Sequence, residues 1–269
     1  MNTDKNLYTA KSAALEAGEL LRKHYGKLKV SQIRQKSKND FVTTVDKLSE
    51  KHIIRRILKA FPDHSIQAEE GLPTGQAEIV RGGGETRWII DPLDGTSNYI
   101  HQFPMFAVSI GVVHRGVLVA GVVYDPLHRE MFSAQKGRGA FLNGRLFRTS
   151  KTKRLANALM ATGIPFRARK RFQQYFKSLR IISMASAGIR RGGSAALDLA
   201  YVACGRFDGF WEINLSPWDI AAGALLITEA GGRITDVHAR VNHMKNGDVL
   251  ASNGRIHRAL SAITRSVFR

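Results

Sequence analysis

Four carboxylates occupy sequence positions where a charged group is difficult to accommodate. Asp91 and Asp94 follow the apolar segment 88–90, Glu69 lies near the end of a short strand-like segment, and Asp219 precedes a long apolar run. An ionised carboxylate beside apolar surface needs a cation, a cluster of hydrogen-bond donors or a proton. Taken singly, two of them have ordinary structural interpretations, because Asp219 suits the first turn of a helix and Asp94 suits a turn before a glycine.

Taken together, these acids indicate a metal site for phosphoryl transfer. Oxygen ligands without a cluster of Cys or His favour a hard cation, Mg²⁺ before Zn²⁺. Pro92 fixes the backbone between Asp91 and Asp94, so both carboxylates can face one point. The amides of Gly95 and Thr96 then open a short helix, and helix N-termini bind phosphate. Metal-assisted hydrolysis of a phosphate ester needs this combination; the alternative is a hydrogen-bonded turn that holds no ligand.

The elements that position these acids fall into two regions that differ in the order of their predicted helices and strands. Up to about residue 148, helices over 7–25 and 41–62 accompany short strands and an apolar hairpin over 106–126. This pattern predicts helices packed on a largely antiparallel sheet. From 149 onward, strands and helices alternate, which predicts a smaller α/β lobe. We therefore expect an N-terminal α+β lobe over 1–148 that carries most of the acids, rigidly joined to a lobe over 149–269 that completes the site.

Bulk composition limits the class of protein. A chain of 269 residues with 43% hydrophobic content suits one large domain or two lobes that share a core. Cys204 is the only cysteine, so no intrachain disulfide can form and a reducing cytoplasm fits. The N-terminus lacks the apolar core of a signal peptide, and the longest apolar stretch is interrupted at 114–116, so we expect no membrane association.

Positive charge is the unusual bulk property of this chain. Lys and Arg number 41 against 22 Asp and Glu, and the segment 131–197 contains 15 Lys and Arg and no acidic residue. One interpretation is a surface that contacts RNA or an acidic transcription factor. The other is a set of solvated basic faces in an organism whose proteins are generally basic. Net charge bears on association and solubility, and it does not choose between these interpretations.

Three segments resemble signatures of a known family. AEEG at 68–71, WIIDPLDGTSN at 88–98 and SPWDIAAGALLITEAGG at 216–232 are similar to the motifs of the inositol monophosphatase family, in the family's order. The segment 190–213 looks most like the bacterial SuhB branch. The resemblance implies an α+β fold of the layered α-β-α-β-α sandwich type, usually a homodimer. It also implies Mg²⁺-dependent, lithium-sensitive hydrolysis of phosphate monoesters, with myo-inositol monophosphate as the reference substrate.

The resemblance also assigns roles to individual residues, with two to three Mg²⁺ per active site. The implied metal ligands are Glu69, Asp91 and the Leu93 carbonyl for the first ion, and Asp91, Asp94 and Asp219 for the second. The implied catalytic residues, which activate and orient the attacking water, are Glu69, Thr96 and Asp46. The implied substrate contacts are Asp94, Gly95, Thr96, Gly193, Ser194, Ala195, Glu212 and Asp219. Lys36 and Lys38 lie in the segment where family members carry a mobile loop near the metals, and the resemblance leaves open which of them, if either, approaches the site.

Two functions of different classes remain open at this point. The first is hydrolysis of inositol 1-phosphate, or of another sugar or nucleotide phosphate, since relatives on this fold cleave several esters. The second follows from the resemblance to SuhB, whose relatives act as non-catalytic partners of the machinery that transcribes ribosomal RNA. The acid-free segment 131–197 suits such a contact.

Overall fold

The computed structural model describes residues 3–37, 40–71, 78–79, 84–165 and 168–269. The helices in this part of the chain are α1 (Thr3–His24), α2 (Thr44–Ala60), α3 (Thr96–Ile100), α4 (Phe172–Ala185), α5 (Ala195–Ala203), α6 (Pro217–Glu229), α7 (His243–Asn246) and α8 (His257–Val267). The strands are β1 (Ile33–Ser37), β2 (Asp40–Thr43), β3 (Ser65–Ala68), β4 (Glu78–Ile79), β5 (Thr86–Asp94), β6 (Ala107–His114), β7 (Val117–Asp125), β8 (Glu130–Gln135), β9 (Gly139–Leu142), β10 (Arg145–Phe147), β11 (Leu159–Thr162), β12 (Gly188–Arg190), β13 (Gly209–Glu212), β14 (Arg233–Thr235) and β15 (Val249–Ser252).

Two large sheets organise these elements. An eight-stranded sheet has the order β10-β9-β8-β7-β6-β5-β3-β4, and its pairs are antiparallel except for β3 with β5. A five-stranded sheet has the order β12-β11-β13-β15-β14 and mixes parallel with antiparallel pairs. β1 and β2 form a separate hairpin. The combination of these helices with mainly antiparallel and mixed sheets confirms the predicted α+β class.

The helices lie in three layers around the two sheets. α1 and α2 cover one face of the eight-stranded sheet, and their alanines and isoleucines share one core with β5, β6 and β7. α5 and α6 lie between the two sheets in a second core. α4 and α8 cover the outer face of the five-stranded sheet in a third. This is the predicted α-β-α-β-α sandwich. The lobe boundary between 148 and 149 stays a prediction.

The start of α2 differs from the sequence prediction. The helix begins at Thr44 and not at Phe41, because Phe41–Thr43 pair with β1 as part of β2. Thr43 caps the helix: its Oγ1 accepts from the backbone amides of Val45 and Asp46, and the Asp46 carboxylate accepts from the Thr43 amide at 2.9 Å. This reciprocal cap satisfies amides that the first helical turn would otherwise leave unpaired, and it fixes Asp46 beside the end of β5.

Two glycines allow α6 to lie very close to the eight-stranded sheet. Gly111 and Gly121 are paired across β6 and β7. A Cβ built at Gly111 would come within 2.6 Å of the Ala221 Cβ, and one at Gly121 within 3.1 Å of the Ala222 Cα. Both contacts are shorter than ordinary carbon–carbon contact. The two missing side chains therefore set the height of α6, and with it the position of Asp219, above the sheet.

None of the helices in the described ranges combines the length and the apolarity that a membrane span requires.

Candidate metal and phosphate site

Asp91, Asp94 and Asp219 converge at one point. Their carboxylate oxygens lie within 4.8 Å of one another, with Asp91 and Asp94 at the end of β5 and Asp219 in the first turn of α6. In a regular strand, residues three apart would face opposite sides of the sheet. The pairing of β5 with β6 shifts register between Asp91 and Asp94, across Pro92. This irregularity turns both side chains toward the same space.

Backbone amides hold each carboxylate in place. One Asp91 oxygen accepts from the Leu93 amide at 2.9 Å, and one Asp219 oxygen accepts from the Ser216 amide at 2.8 Å. One Asp94 oxygen accepts from the Ala196 amide at 2.7 Å and from the Ser194 hydroxyl. Asp94 therefore connects the end of β5 to the start of α5. The carboxylates are oriented before any ligand binds.

Burial makes this group of acids dependent on a cation. Burial raises the pKa of Asp91 well above its usual range, and the neighbouring Glu69 and Asp94 raise it further. Burial likewise raises the pKa of Asp219, and it raises that of Asp94 to about 6. Two buried carboxylates and a half-buried one so close together are stabilised as anions by neighbouring positive charge. A donor set of carboxylate oxygens fits a hard divalent cation such as Mg²⁺.

Glu69 lines the same cavity but lies outside this group of three acids. Its Oε1 is 3.3 Å from the Nζ of Lys36, and the same ammonium is 2.5 Å from the Oε1 of Glu70. The Glu70 amide in turn donates to the Glu50 carboxylate of α2 at 2.9 Å. Lys36 therefore reaches the acids, and Lys38 lies outside the described residues.

A threonine and a buried aspartate stand beside the acids. The Thr96 Oγ1 lies 3.0 Å from Oδ1 of Asp46 and 3.1 Å from the carbonyl oxygen of Leu93. Asp46 is fully buried, and burial raises its pKa to about 6 despite the hydrogen bonds from Thr43. A hydroxyl has one hydrogen and two lone pairs. When Thr96 donates to Asp46, its lone pairs are available to orient a water molecule.

The predicted residues border one cavity of about 150 Å³. Except for Asp46, which supports Thr96 from behind, every residue predicted for the site lines it: Glu69, Asp91, Leu93, Asp94, Gly95, Thr96, Gly193, Ser194, Ala195, Glu212 and Asp219. The structure thus brings together residues from both halves of the chain. The individual roles of these residues stay predictions.

The backbone around Gly95 is compact. Gly95 has φ +94°, and a Cβ there would come within 2.9 Å of the Met105 carbonyl oxygen. The Asn98 side-chain amide donates to the carbonyls of Met105 and Gly192, at 2.7 and 2.9 Å. These bonds hold the start of α3 against the loop that leads into α5. Gly95 is therefore required both for its left-handed conformation and for its lack of a side chain.

The sequence interpretation missed Asp198, Arg191 and Gly163, which also line the cavity. Asp198 is 1% exposed, and burial raises its pKa well above the usual range, with Glu212 and Asp94 adding to the effect. Its signal was available, because it is the single charged residue within the apolar helix segment AALDLAYVA. An acid in the middle of an apolar helix needs a cation, hydrogen-bond donors or a proton, as Glu69 and the three aspartates do.

Comparison with known proteins identifies the family of this chain. Residues 2–268 match the model of the inositol monophosphatase family. The chain is 45% identical over 256 residues to a Pseudomonas aeruginosa protein named Nus factor SuhB, covering 94% of this chain and 93% of that protein.

Two solved structures resemble the whole chain. The extragenic suppressor protein SuhB of Bartonella henselae has a TM-score of 0.91 and 40% identity, covering 96% of this chain and 97% of that one. The inositol monophosphatase of Anabaena (Nostoc) sp. PCC 7120 has a TM-score of 0.85 and 40% identity, covering 99% and 98%. Because the family model matches residues 2–268 and these relatives are at least 40% identical over nearly the whole chain, this chain belongs to the inositol monophosphatase family.

Proposed function

We propose that this protein is a Mg²⁺-dependent phosphatase that hydrolyses myo-inositol monophosphate to myo-inositol and phosphate. The observation that carries the proposal is the convergence of Asp91, Asp94 and Asp219 beside the Thr96–Asp46 pair. Membership of the family supports phosphatase chemistry in general. The name of the Anabaena relative supports inositol monophosphate as the substrate.

The proposed ligands divide between two ions, and the family resemblance allows a third. Glu69, Asp91 and the Leu93 carbonyl would hold one Mg²⁺, and Asp91, Asp94 and Asp219 the other. When bound, the ions lower the pKa of a water molecule and neutralise the ester oxygen that leaves. Lys36 lies between Glu69 and Glu70 and offsets the negative charge of this side of the site.

Positioning is the main task of the remaining residues, because phosphoryl transfer needs little covalent participation by the protein. The Thr96 hydroxyl donates to Asp46 and accepts a hydrogen bond from the attacking water. This hydrogen bond orients the water so that a lone pair of the water oxygen points at phosphorus. The amides of Gly95 and Thr96 donate to the phosphate oxygens. Gly193, Ser194, Ala195 and Glu212 face the alcohol part of the ester, with Glu212 accepting from its hydroxyls.

A panel of phosphate esters tests this proposal. Phosphate release with Mg²⁺ is measured for myo-inositol 1-phosphate, fructose 1,6-bisphosphate, 3′-phosphoadenosine 5′-phosphate and NADP. We expect inositol 1-phosphate to give the highest kcat/KM and a chelator to abolish release. If inositol 1-phosphate is the poorest ester of the panel, the substrate assignment is wrong. Absence of Mg²⁺-dependent release from all four esters would refute the phosphatase itself.

A second function is favoured by the relatives named Nus factor SuhB and by the basic segment 131–197. We propose that this segment contacts RNA or an acidic transcription factor. Its described lysines and arginines are largely exposed, among them Arg138, Lys153 and Arg180. Asp94→Asn, which removes charge from the metal site, should abolish hydrolysis and leave RNA binding at its wild-type affinity. Loss of both together would contradict separate sites.

Three further properties extend the proposal. We expect the protein to be a homodimer in the cytoplasm, and we expect Li⁺ to inhibit it by competing for a Mg²⁺ position. Sedimentation measures the oligomeric state, and phosphate release at increasing Li⁺ and fixed Mg²⁺ measures the inhibition.

A further inference from the structure

Asp198 is a buried carboxyl group without an evident structural role. Its Oδ1 is buried and has no hydrogen-bond partner among the residues that the structure describes. Asp236, which is equally buried, accepts from the amides of His238 and Arg240 and from the Asn246 side chain. A buried polar atom without a partner destabilises a fold. Asp198 lines the cavity, so a ligand in that cavity is the natural source of the missing partner.

Two glycines make room for carboxyl groups in this wall of the cavity. A Cβ built at Gly192 would come within 2.2 Å of the Met105 Cε and within 2.9 Å of the Asp198 Oδ1. A Cβ built at Gly163 would come within 2.0 Å of Oε2 of Glu212. Neither glycine has the left-handed backbone conformation that would by itself require glycine. The missing side chain of Gly163 therefore leaves the space that the Glu212 carboxyl group occupies, and that of Gly192 leaves space shared by Met105 and the Asp198 carboxyl group.

From this geometry we infer that Asp198 is an additional specificity-determining residue, which binds a hydroxyl group of the alcohol part of the substrate beside the contact proposed above for Glu212 and so favours a polyhydroxylated leaving group. The inference rests on the proposed phosphatase function. Two carboxyl groups facing one space offer several acceptors, and vicinal hydroxyls offer matching donors. Gly163 is then a positioning residue that allows Glu212 to reach its place.

The same space does not have the arrangement of a metal site. In the described part of the chain, the group of acids compact enough to hold a metal ion is the triad of Asp91, Asp94 and Asp219, and Asp198 is outside it. Asp198 and Glu212 lie on α5 and at the end of β13, whereas Asp91 and Asp94 end β5. The two sets of carboxyl groups therefore address different parts of the ester.

The test compares a polyol ester with an aryl ester that lacks hydroxyls on its leaving group. Values of kcat/KM are measured with Mg²⁺ for myo-inositol 1-phosphate and para-nitrophenyl phosphate, and their ratio is the readout. For Asp198→Leu we expect the ratio to fall about tenfold or more, because a substrate hydroxyl would be left without its buried hydrogen-bond partner. Asp198→Asn keeps an acceptor and should retain part of the selectivity. Gly163→Ala should lower the same ratio by displacing Glu212.

Stability provides the matched control. Asp236→Asn replaces the oxygen that accepts from the Asn246 side chain, and Asp236 does not line the cavity, so this variant should lower the unfolding midpoint and leave the ratio unchanged. Asp198→Leu removes an unpartnered polar group, so its midpoint should equal or exceed that of the wild type. A ratio within twofold of the wild type for Asp198→Leu overturns the inference, as does a lower midpoint with both esters equally affected. Wild-type inactivity on both esters would instead refute the phosphatase function on which the inference rests.

Discussion

Adding one methyl group at Gly111 should displace Asp219 without altering any acid of the site. A Cβ at position 111 would lie 2.6 Å from the Ala221 Cβ, whereas two such carbons need about 3.5 to 4.0 Å. Helix α6 must therefore move away from the sheet by about 1 Å. Asp219 lies two residues before Ala221 in the same helix, so it moves with it. A misplacement of about 1 Å costs on the order of 100-fold in rate.

The compensating variant makes this prediction specific. Ala221→Gly removes the methyl group that Gly111→Ala would meet, so the double variant should recover most of the activity lost in Gly111→Ala. Glycine inside a helix costs about 1 kcal/mol, so the double variant is not expected to be more stable than the wild type. A gain of activity in the double variant over Gly111→Ala would therefore not be explained by a more stable protein.

The assay is Mg²⁺-dependent phosphate release, with calorimetric Mg²⁺ binding and thermal unfolding measured on the same preparations. We expect Gly111→Ala to weaken Mg²⁺ binding and lower kcat, and Ala221→Gly alone to change both only slightly. Full activity in Gly111→Ala would refute the idea that the glycine pair sets the position of Asp219. Failure of Ala221→Gly to restore activity would show that the damage is not the predicted steric contact.

Two other predictions concern the water-orienting pair and a buried histidine. Thr96→Ala should lower kcat by about 100-fold with little change in Mg²⁺ affinity, whereas Thr96→Ser keeps the hydroxyl and should retain most activity; equal losses in both would contradict the role of the hydroxyl. Burial lowers the pKa of His257 to about 4, below its usual value near 6.5. The unfolded chain therefore binds the proton more tightly, and this histidine's contribution to stability is present above pH 6.5 and is lost as the pH falls toward 4. The loss is roughly 3 kcal/mol. Urea unfolding of His257→Gln should show a smaller decrease over this range than the wild type, and parallel curves would contradict the assignment.

Local patterns predicted helices on a largely antiparallel sheet and the acidic turn at the end of β5, whereas the layered sandwich and most of the individual site residues followed from the family resemblance. Alanine and leucine spacing identifies α1, and the proline, glycine and acids of 91–95 identify the turn at the end of β5. The beginning of α2 was predicted too early because Phe41–Thr43 pair with a strand whose partner the local pattern does not reveal. Thr43, a good capping residue, marks the true start.

Other features depend on contacts between distant segments. Gly111 and Gly121 are ordinary glycines in sequence, and only the pairing of β6 with β7 brings them together under α6. The contact of Lys36 with Glu69 and Glu70 joins segments more than 30 residues apart, so the local pattern does not reveal it. Asp198 was overlooked because a single acid on a helix usually faces solvent, and its burial follows from the position of α5 between the two sheets.

We propose above that the three converging aspartates form a metal site that is required for phosphate hydrolysis. The most direct measurement is the release of phosphate from myo-inositol 1-phosphate as Mg²⁺ is titrated, for the wild type and for Asp219→Asn. We predict saturable dependence on Mg²⁺ in the wild type, and for Asp219→Asn a much lower kcat and a higher Mg²⁺ requirement. Phosphate release that is independent of Mg²⁺, or unchanged by Asp219→Asn, would contradict a catalytic metal site at these aspartates.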